Sequence, residues 1–434
     1  MAQGRSVAPR ALSGRRPTAP SPSGRAMSDP SGAAATRAPS AVPPSARQVP
    51  VLWLALLAAP VAAAGNAAVL ILGDLGRSLG IPAATASWLV TVYALALAVA
   101  TPLFATLLRR RGTRPALWLA AACVTAGTVL MAVSPWLPLL LAGRAVQAAG
   151  GAGMTAIAMN LAGTARRMGA ISAGTGILGA VGPLLGERLT ETVSWRAALS
   201  LLAVTLLAVP AVGRRTTPAP PPAGDRFDAR GALLLAVLSG GLVLLPYHPL
   251  PALAVAAVAA ALLVPHIRRR PDGYVPAAAL RSGHFRGSVL IALTLSGSYF
   301  TLLFAVPQTL ADRAGRPATS VAVGQMAAMI TGSLLTLGFA AVSARLRRRT
   351  VRVILLAAGT LAAAAAALAP GAVVLLAAIG LAVFAATAAN ATQSVIAATA
   401  VPDRQRPAAI GLFQLAYLLG GALGPALATT LVLR

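Results

Sequence analysis

Arg144 is the only charged residue between Arg114 and Arg166, in a stretch that is otherwise almost entirely apolar or small. A charge in lipid costs about 2.5–3.5 kcal/mol on insertion scales, so a residue kept there has work to do. Gln147, three positions on, shares its helical face and can orient the guanidinium or line a cavity beside it. Proton chemistry needs a titratable group, and the chain has nine carboxylates. Only Asp74 and Glu187 come close to an apolar run, each at the run's end, so both are candidates for carrying a proton. The three histidines, His248, His266 and His284, lack metal-ligand spacing and read as loop and interface residues. Cys123 is the single cysteine, which excludes an internal disulfide and a cysteine metal cluster. All 36 basic residues are arginine, so a phosphate-binding glycine loop with its lysine is excluded, and no catalytic constellation or cofactor site appears.

The elements that position these residues follow from composition. The 434 residues are 57% hydrophobic and 10% charged, with a mean hydropathy of +0.77. Soluble domains carry roughly 25% charged residues, so lipid is the solvent here. A net charge of +27 raises nucleic acid as a partner, but the arginines sit in short clusters between long apolar runs, which argues against it. Runs long enough to span a bilayer fall near 51–73, 87–108, 115–134, 137–161, 169–187, 196–213, 229–246, 250–266, 288–307, 319–343, 352–369, 371–398 and 407–431. The sequence thus predicts about 13 spans.

Arginine counts orient them. With the N-terminus inside, 29 of the 36 arginines fall in cytosolic segments and six outside, Arg77, Arg188, Arg196, Arg313, Arg316 and Arg434. Arg144 is the remaining one. The five tryptophans, Trp53, Trp88, Trp118, Trp136 and Trp195, fall at span ends, where an indole meets interfacial water. This predicts a multi-pass protein of a bacterial cytoplasmic membrane with a cytosolic N-terminus. Residues 1–48 are rich in Arg, Pro, Ser and Ala, and are expected to be a disordered extension, with Met27 an alternative start.

An internal repeat is visible. GAISAGTGILGAVGP at 169–183 and GLFQLAYLLGGALGP at 411–425 align Gly169, Gly179, Gly182 and Pro183 with Gly411, Gly421, Gly424 and Pro425. Glycine and proline let membrane helices approach closely and bend, as the moving contacts of two repeated halves require.

From about residue 50 onward these motifs resemble the major facilitator superfamily, specifically its fourteen-span drug/proton antiporter branch. GAVGPLLGE at 179–187 is similar to the antiporter motif, matching at Gly182, Pro183 and Gly186, with Glu187 where a second glycine is usual. RAVQAAGGAG at 144–153 resembles the Arg-x-x-Gln-Gly motif, with Ala148 in place of its glycine. Arg110, Gly112 and Arg114 resemble the cytosolic loop motif, although Arg109 stands at its acidic position. FDARG at 227–231 resembles the start of the helix pair inserted in fourteen-span members. The branch's span 1 acid is replaced by Val61, five residues before Asn66, and the run of spans stops at the thirteenth, as in a truncated or diverged member.

The resemblance implies an all-α membrane fold of two helical bundles with two extra central helices. Its parts would be an extension at 1–48, a six-helix bundle at 49–213, a linker with two extra spans at 214–286, and a second bundle of five spans at 287–434. It implies no enzyme and no cofactor. It implies a monomeric secondary transporter that exports small amphipathic compounds or antibiotics against protons. An importer of the same fold, or a relative that has lost transport, are the alternatives. Arg144, Gln147, Asn66, Tyr93, Asn390 and Gln393 are the expected cavity residues, and isolated polar residues such as Asn160, Tyr299, Gln325 and Gln414 can equally join helices.

Overall fold

The computed structural model describes residues 49–162, 165–216, 228–314, 318–343, 345–368, 371–402 and 405–431. The expected disordered extension and the proline cluster at 218–222 lie outside the described residues. Ala46–Arg434 form one compact unit.

The first half begins with α1 (Val51–Ala67), α2 (Leu72–Leu79), α3 (Ala83–Ala86) and α4 (Trp88–Arg111). It continues through α5 (Thr113–Val133), α6 (Leu137–Ala162) and α7 (Ala165–Thr192). It closes with α8 (Trp195–Leu199), a 3-10 stretch at Ser200–Ala208, and α9 (Val209–Gly213). An inserted pair follows, α10 (Ala229–Leu244) and α11 (Pro249–Arg269), then the short α12 (Ala277–Arg281). The second half comprises α13 (Gly283–Ala314), α14 (Ala318–Ser343), α15 (Arg348–Leu368), α16 (Ala372–Thr399) and α17 (Arg406–Leu431).

Among the described residues each of the thirteen apolar runs is helical over most of its length. Among the described residues nine helices are long and apolar enough to cross a bilayer, and the bent pair α1–α2 makes ten. The three that fall short do so for identifiable reasons. α10 has only 16 residues, while α6 and α7 dilute their apolar content with glycine and with Arg144, Gln147, Arg167 and Glu187. Burial among neighbouring helices lets a span carry such residues. The run at 51–73 was expected as one helix. It breaks after Ala67, and α1 and α2 meet at 67°.

The packing repeats. α1 crosses α7 as α13 crosses α17, α5 lies on α6 as α15 lies on α16, and α4 lies on α6 as α14 lies on α16. Between halves, α4 packs on α17 and α7 on α14. The sequence repeat is thus also a packing repeat, and the two seams exchange equivalent helices. Two apolar clusters underlie it: Leu54, Leu57, Val124, Met154, Ile157 and Leu202 anchor one, and Leu295, Leu303, Phe304, Leu355, Ile379 and Phe413 the other.

The motif glycines sit at the crossings. A Cβ on Gly182 would stand 2.7 Å from the Ala63 carbonyl oxygen, and one on Gly186 2.1 Å from that of Ala67. At the equivalent crossing a Cβ on Gly424 would meet Phe300 Cβ at 2.4 Å and the Thr301 amide nitrogen at 2.8 Å. Gly112 serves differently. It joins α4 to α5 at φ +80°, a backbone region costly for residues with a Cβ, while its N–H caps the Leu108 carbonyl at 3.0 Å.

Candidate functional site

Arg144 is fully buried on α6 and reaches three other helices. Its Nη1 donates to Gln147 Oε1 (2.8 Å) and to the Leu199 carbonyl (3.2 Å), and its Nη2 donates to the Ala64 carbonyl (2.7 Å). The guanidinium carbon lies 4.1 Å from the centre of the Tyr93 ring, on α4. The carbonyls it meets are explained by local structure. Ala64 lies in the last turn of α1, where carbonyls run out of helical donors because the chain breaks at Ala68. Leu199 ends α8, and the helix rewinds to 3-10 geometry at the next residue. A nine-residue 3-10 run is unusually long and marks a place where the ordinary ladder is disturbed. A planar fork with several fixed donors suits such scattered acceptors.

Gln147 completes the cluster. Its Nε2 donates to Thr128 Oγ1 on α5 (3.0 Å) and to the Leu199 carbonyl (3.2 Å). Tyr93 donates to the Val61 carbonyl at 2.7 Å. Val61 is itself buried, so this corner holds an arginine and a tyrosine and no carboxylate among the described residues. Arg144 Nε is buried and has no partner.

The other expected residues are distributed. Asn66 Nδ2 donates to the Gly179 carbonyl (2.9 Å), tying α1 to α7 beside the glycine crossing. In the second half Gln414 Nε2 donates to Asn390 Oδ1 (3.1 Å). Gln393 Oε1 accepts from Ser288 Oγ (3.2 Å) and Arg352 Nε (3.3 Å), joining α13, α15 and α16. The structure therefore brings Arg144, Gln147 and Tyr93 together and places Asn66, Asn390 and Gln393 in separate contacts.

The two carboxylate candidates differ in setting. Asp74 pairs with Arg77 one turn away, with both side chains largely exposed. Glu187 is buried where α7 meets α14, and its Oε1 accepts from Thr319 Oγ1 of α14 at 3.3 Å. Its Oε2 is buried without a hydrogen-bond partner. Arg188, its sequence neighbour, turns away to Glu191 (2.9 Å).

A site that sequence reading passed over holds the inserted helix pair together. Asp228 caps α10, accepting from the Gly231 N–H at 3.0 Å, and its Oδ1 also meets His266 Nε2 of α11 at 2.7 Å. Its Oδ2 accepts from the Tyr274 N–H at 3.0 Å. Gly231 and Gly273 leave the room, since a Cβ on either would stand 2.5 Å from Oδ2. The Asp and Gly of FDARG are thus both accounted for. Burial pushes the Asp228 carboxyl up, but the donors from Tyr274, Gly231 and His266 outweigh it and hold it below the usual range. A depressed carboxylate stabilises above its unfolded pKa of about 3.9 and loses that contribution as pH falls through its folded value. Asp228→Asn is expected to weaken the pair by about 2 kcal/mol at neutral pH. Hydrogen exchange over 229–235 reads this as faster exchange at pH 7, and the difference from the parent should shrink as pH falls below about 4.

A cavity of about 480 Å³ opens elsewhere, lined by Asp272, Ala278, Arg281, Ser282 and Gln405, and holds none of the expected cavity residues.

Residues 52–425 match the family profile described as Major Facilitator Superfamily. The chain belongs to the Major Facilitator Superfamily. Among solved structures, this facilitator is similar to a bacterial homologue of the human lysosomal transporter Spinster, crystallised inward-facing and unoccupied. The likeness has a TM-score of 0.57 at 17% identity over 87% of this chain and 80% of that one, which shows the fold. Curated relatives match over shorter stretches. The Multidrug resistance protein B homolog of Mycobacterium tuberculosis is 36% identical over 166 residues, 35% of this chain and 30% of that protein. The MFS-type transporter ppz2 of Metarhizium majus is 32% identical over 120 residues, 25% of this chain and 20% of that protein. The matched stretch thus spans less than a third of either relative's length. This facilitator is a multi-pass membrane protein, and the Arg144 cluster lies within its first half.

Proposed function

We propose that this facilitator is a proton-driven exporter of small amphipathic compounds, of the fourteen-span drug/proton antiporter kind. It works as a monomer in a bacterial cytoplasmic membrane with its N-terminus in the cytosol. The observation that carries the reading is the exchange of equivalent helices across the two seams, α4 on α17 and α7 on α14, with repeated glycine crossings behind each. Two halves so arranged rock about one central site, the alternating-access arrangement of repeat-built transporters. Export is supported by the antiporter-type motif at Gly182, Pro183 and Gly186 and by the resistance function in the name of the mycobacterial relative. Arg144, Gln147 and Tyr93, with Asn66, Asn390 and Gln393, are the side chains proposed to shape the central site.

Arginine without a facing carboxylate favours neutral or anionic amphiphiles over lipophilic cations. Glu187 is the better proton carrier of the two candidates, because it lies inside the α7–α14 seam while Asp74 is spent on an exposed ion pair. The test uses everted vesicles energised with a proton gradient and a panel of dyes. Neutral and anionic dyes are expected to be accumulated, with the rate cut at least tenfold by Glu187→Gln. Quaternary ammonium dyes emerging as the best substrates would sink the charge argument. Full activity of Glu187→Gln would remove that residue from coupling.

A further inference from the structure

The inserted pair α10–α11 does not sit apart from the two halves. α10 packs on both α4, from the first half, and α17, from the second, along the seam where those helices meet. Val243 of α10 is buried against Leu419 and Ala422 of α17, with Ala94 and Leu95 of α4 closing the same cluster. At the end of α10, Tyr247 reaches both halves at once. Its ring lies 4.2 Å from that of Trp88, the first residue of α4, and its hydroxyl oxygen is 3.3 Å from Thr429 Oγ1 near the end of α17. Thr429 is buried.

The tip that carries Tyr247 is short and stiff. Only residues 245–248 separate α10 from α11, the N–H groups of Tyr247 and His248 both turn back to the Leu244 carbonyl at 3.0 Å, and prolines stand at 246, 249 and 251. Proline fixes φ, so the tip holds its shape. At its base the pair is tied by Asp228 to both His266 and the Tyr274 backbone. A stiff hairpin, locked at the base and seated on two helices that belong to different halves, resists any motion that parts those helices at its tip.

We propose that the inserted helix pair is a strap across the α4–α17 seam, with Tyr247 as its clasp at the arginine-poor end. This rests on the alternating-access reading, in which α4 and α17 separate at that end once per cycle. To open there, Tyr247 must leave either Trp88 or Thr429. The strap therefore sets how often the arginine-poor end opens, without touching substrate.

The test measures the spacing between halves. In the full chain with Cys123 replaced, spin labels go on Val193, after α7, and Val373, at the start of α16. Both are exposed, and both lie at the arginine-poor end in different halves. Pulsed electron–electron resonance in nanodiscs should show a main short distance and a minor long one. Tyr247→Ala removes the stacking and the hydroxyl contact, and should raise the long-to-short ratio about tenfold. Tyr247→Phe keeps the ring and should raise it about threefold. His248→Ala, an exposed neighbour without a side-chain cap bond, should leave it unchanged. Two populations in the parent with the same ratio in Tyr247→Ala would overturn the strap and leave alternating access standing. A single distance in every variant would overturn both. If Tyr247→Ala fails to fold, Tyr247→Phe and Thr429→Val each delete one side of the hydroxyl contact and decide the matter, an unchanged ratio in both counting against the strap.

Discussion

Arg144→Ala is expected to abolish the proposed export and to destabilise the folded protein by about 3 kcal/mol, while raising the amount inserted in the membrane. The two effects have opposite signs because they belong to different steps. Inserting α6 without its charge is easier by about 2.5–3.5 kcal/mol on insertion scales. Packing the inserted helices is harder, because Ala64 O and Gln147 Oε1 lose the donors that the guanidinium supplies. A buried acceptor left unpaired costs about 1–3 kcal/mol, and the Tyr93 ring loses its facing cation as well. Leu199 O is spared, since Gln147 Nε2 still reaches it at 3.2 Å. Folding stability falls even as insertion improves, and the two are read separately. Total membrane-inserted protein reports insertion, and the monodisperse fraction surviving a heat step reports packing. Arg144→Lys decides what the site needs. An ammonium keeps the charge but lacks the planar fork that spans α1 and α8, so it should recover less than half of the lost stability and little transport. Native behaviour of Arg144→Lys in both measurements would show that charge alone matters.

The sequence shows the scaffold clearly and the joints poorly. Long apolar runs fix the spans, because lipid demands helices of that length whatever packs beside them. Arg144 and Gln147 stand out for the same reason, as polar groups where polar groups are expensive. What periodicity misses are contacts between residues far apart in sequence. Asn66 and Gly179 are 113 residues apart, and Tyr247 and Thr429 are 182 apart. Asn66 stands out as an isolated polar side chain in a span, but that signature is the same toward substrate or toward a carbonyl, and only the fold shows its bond to Gly179. The break after Ala67 is equally hidden, since the alanines on either side of it carry no stop signal in a run that stays apolar beyond it. Asp228 illustrates the intermediate case. Its motif marked the start of a helix pair, but only the fold brings His266 and the Tyr274 amide to the same carboxylate.

Gly186→Ala should cost transport at least tenfold and loosen the α1–α7 crossing, whereas Gly176→Ala on the same helix should be neutral or stabilising. Intrinsic propensity pushes both substitutions the same way, because glycine within a helix is about 1 kcal/mol worse than alanine. Surroundings separate them. A Cβ at Gly176 meets nothing within 4 Å, so the propensity gain is kept. A Cβ at Gly186 falls 2.1 Å from the Ala67 carbonyl oxygen and 2.9 Å from its Cα, both backbone atoms that no rotamer change can move aside. The crossing must widen by about an ångström, and overpacking of this kind costs about 1–3 kcal/mol, more than the propensity returns. Widening there also pulls on two neighbours, the Asn66–Gly179 hydrogen bond and the Ala64 carbonyl held by Arg144. Gly186→Ala and Arg144→Ala therefore act on one structural unit and should combine less than additively, as coupled neighbours do. Gly424→Ala offers the matching case in the second half, where the obstructing atoms are Phe300 Cβ at 2.4 Å and backbone of α13. If each crossing serves as a moving contact, either substitution alone should stop export, and heat stability of the Gly186→Ala protein should fall while that of Gly176→Ala does not. Equal transport by Gly176→Ala and Gly186→Ala would mean the crossing is not a close backbone contact in the working protein.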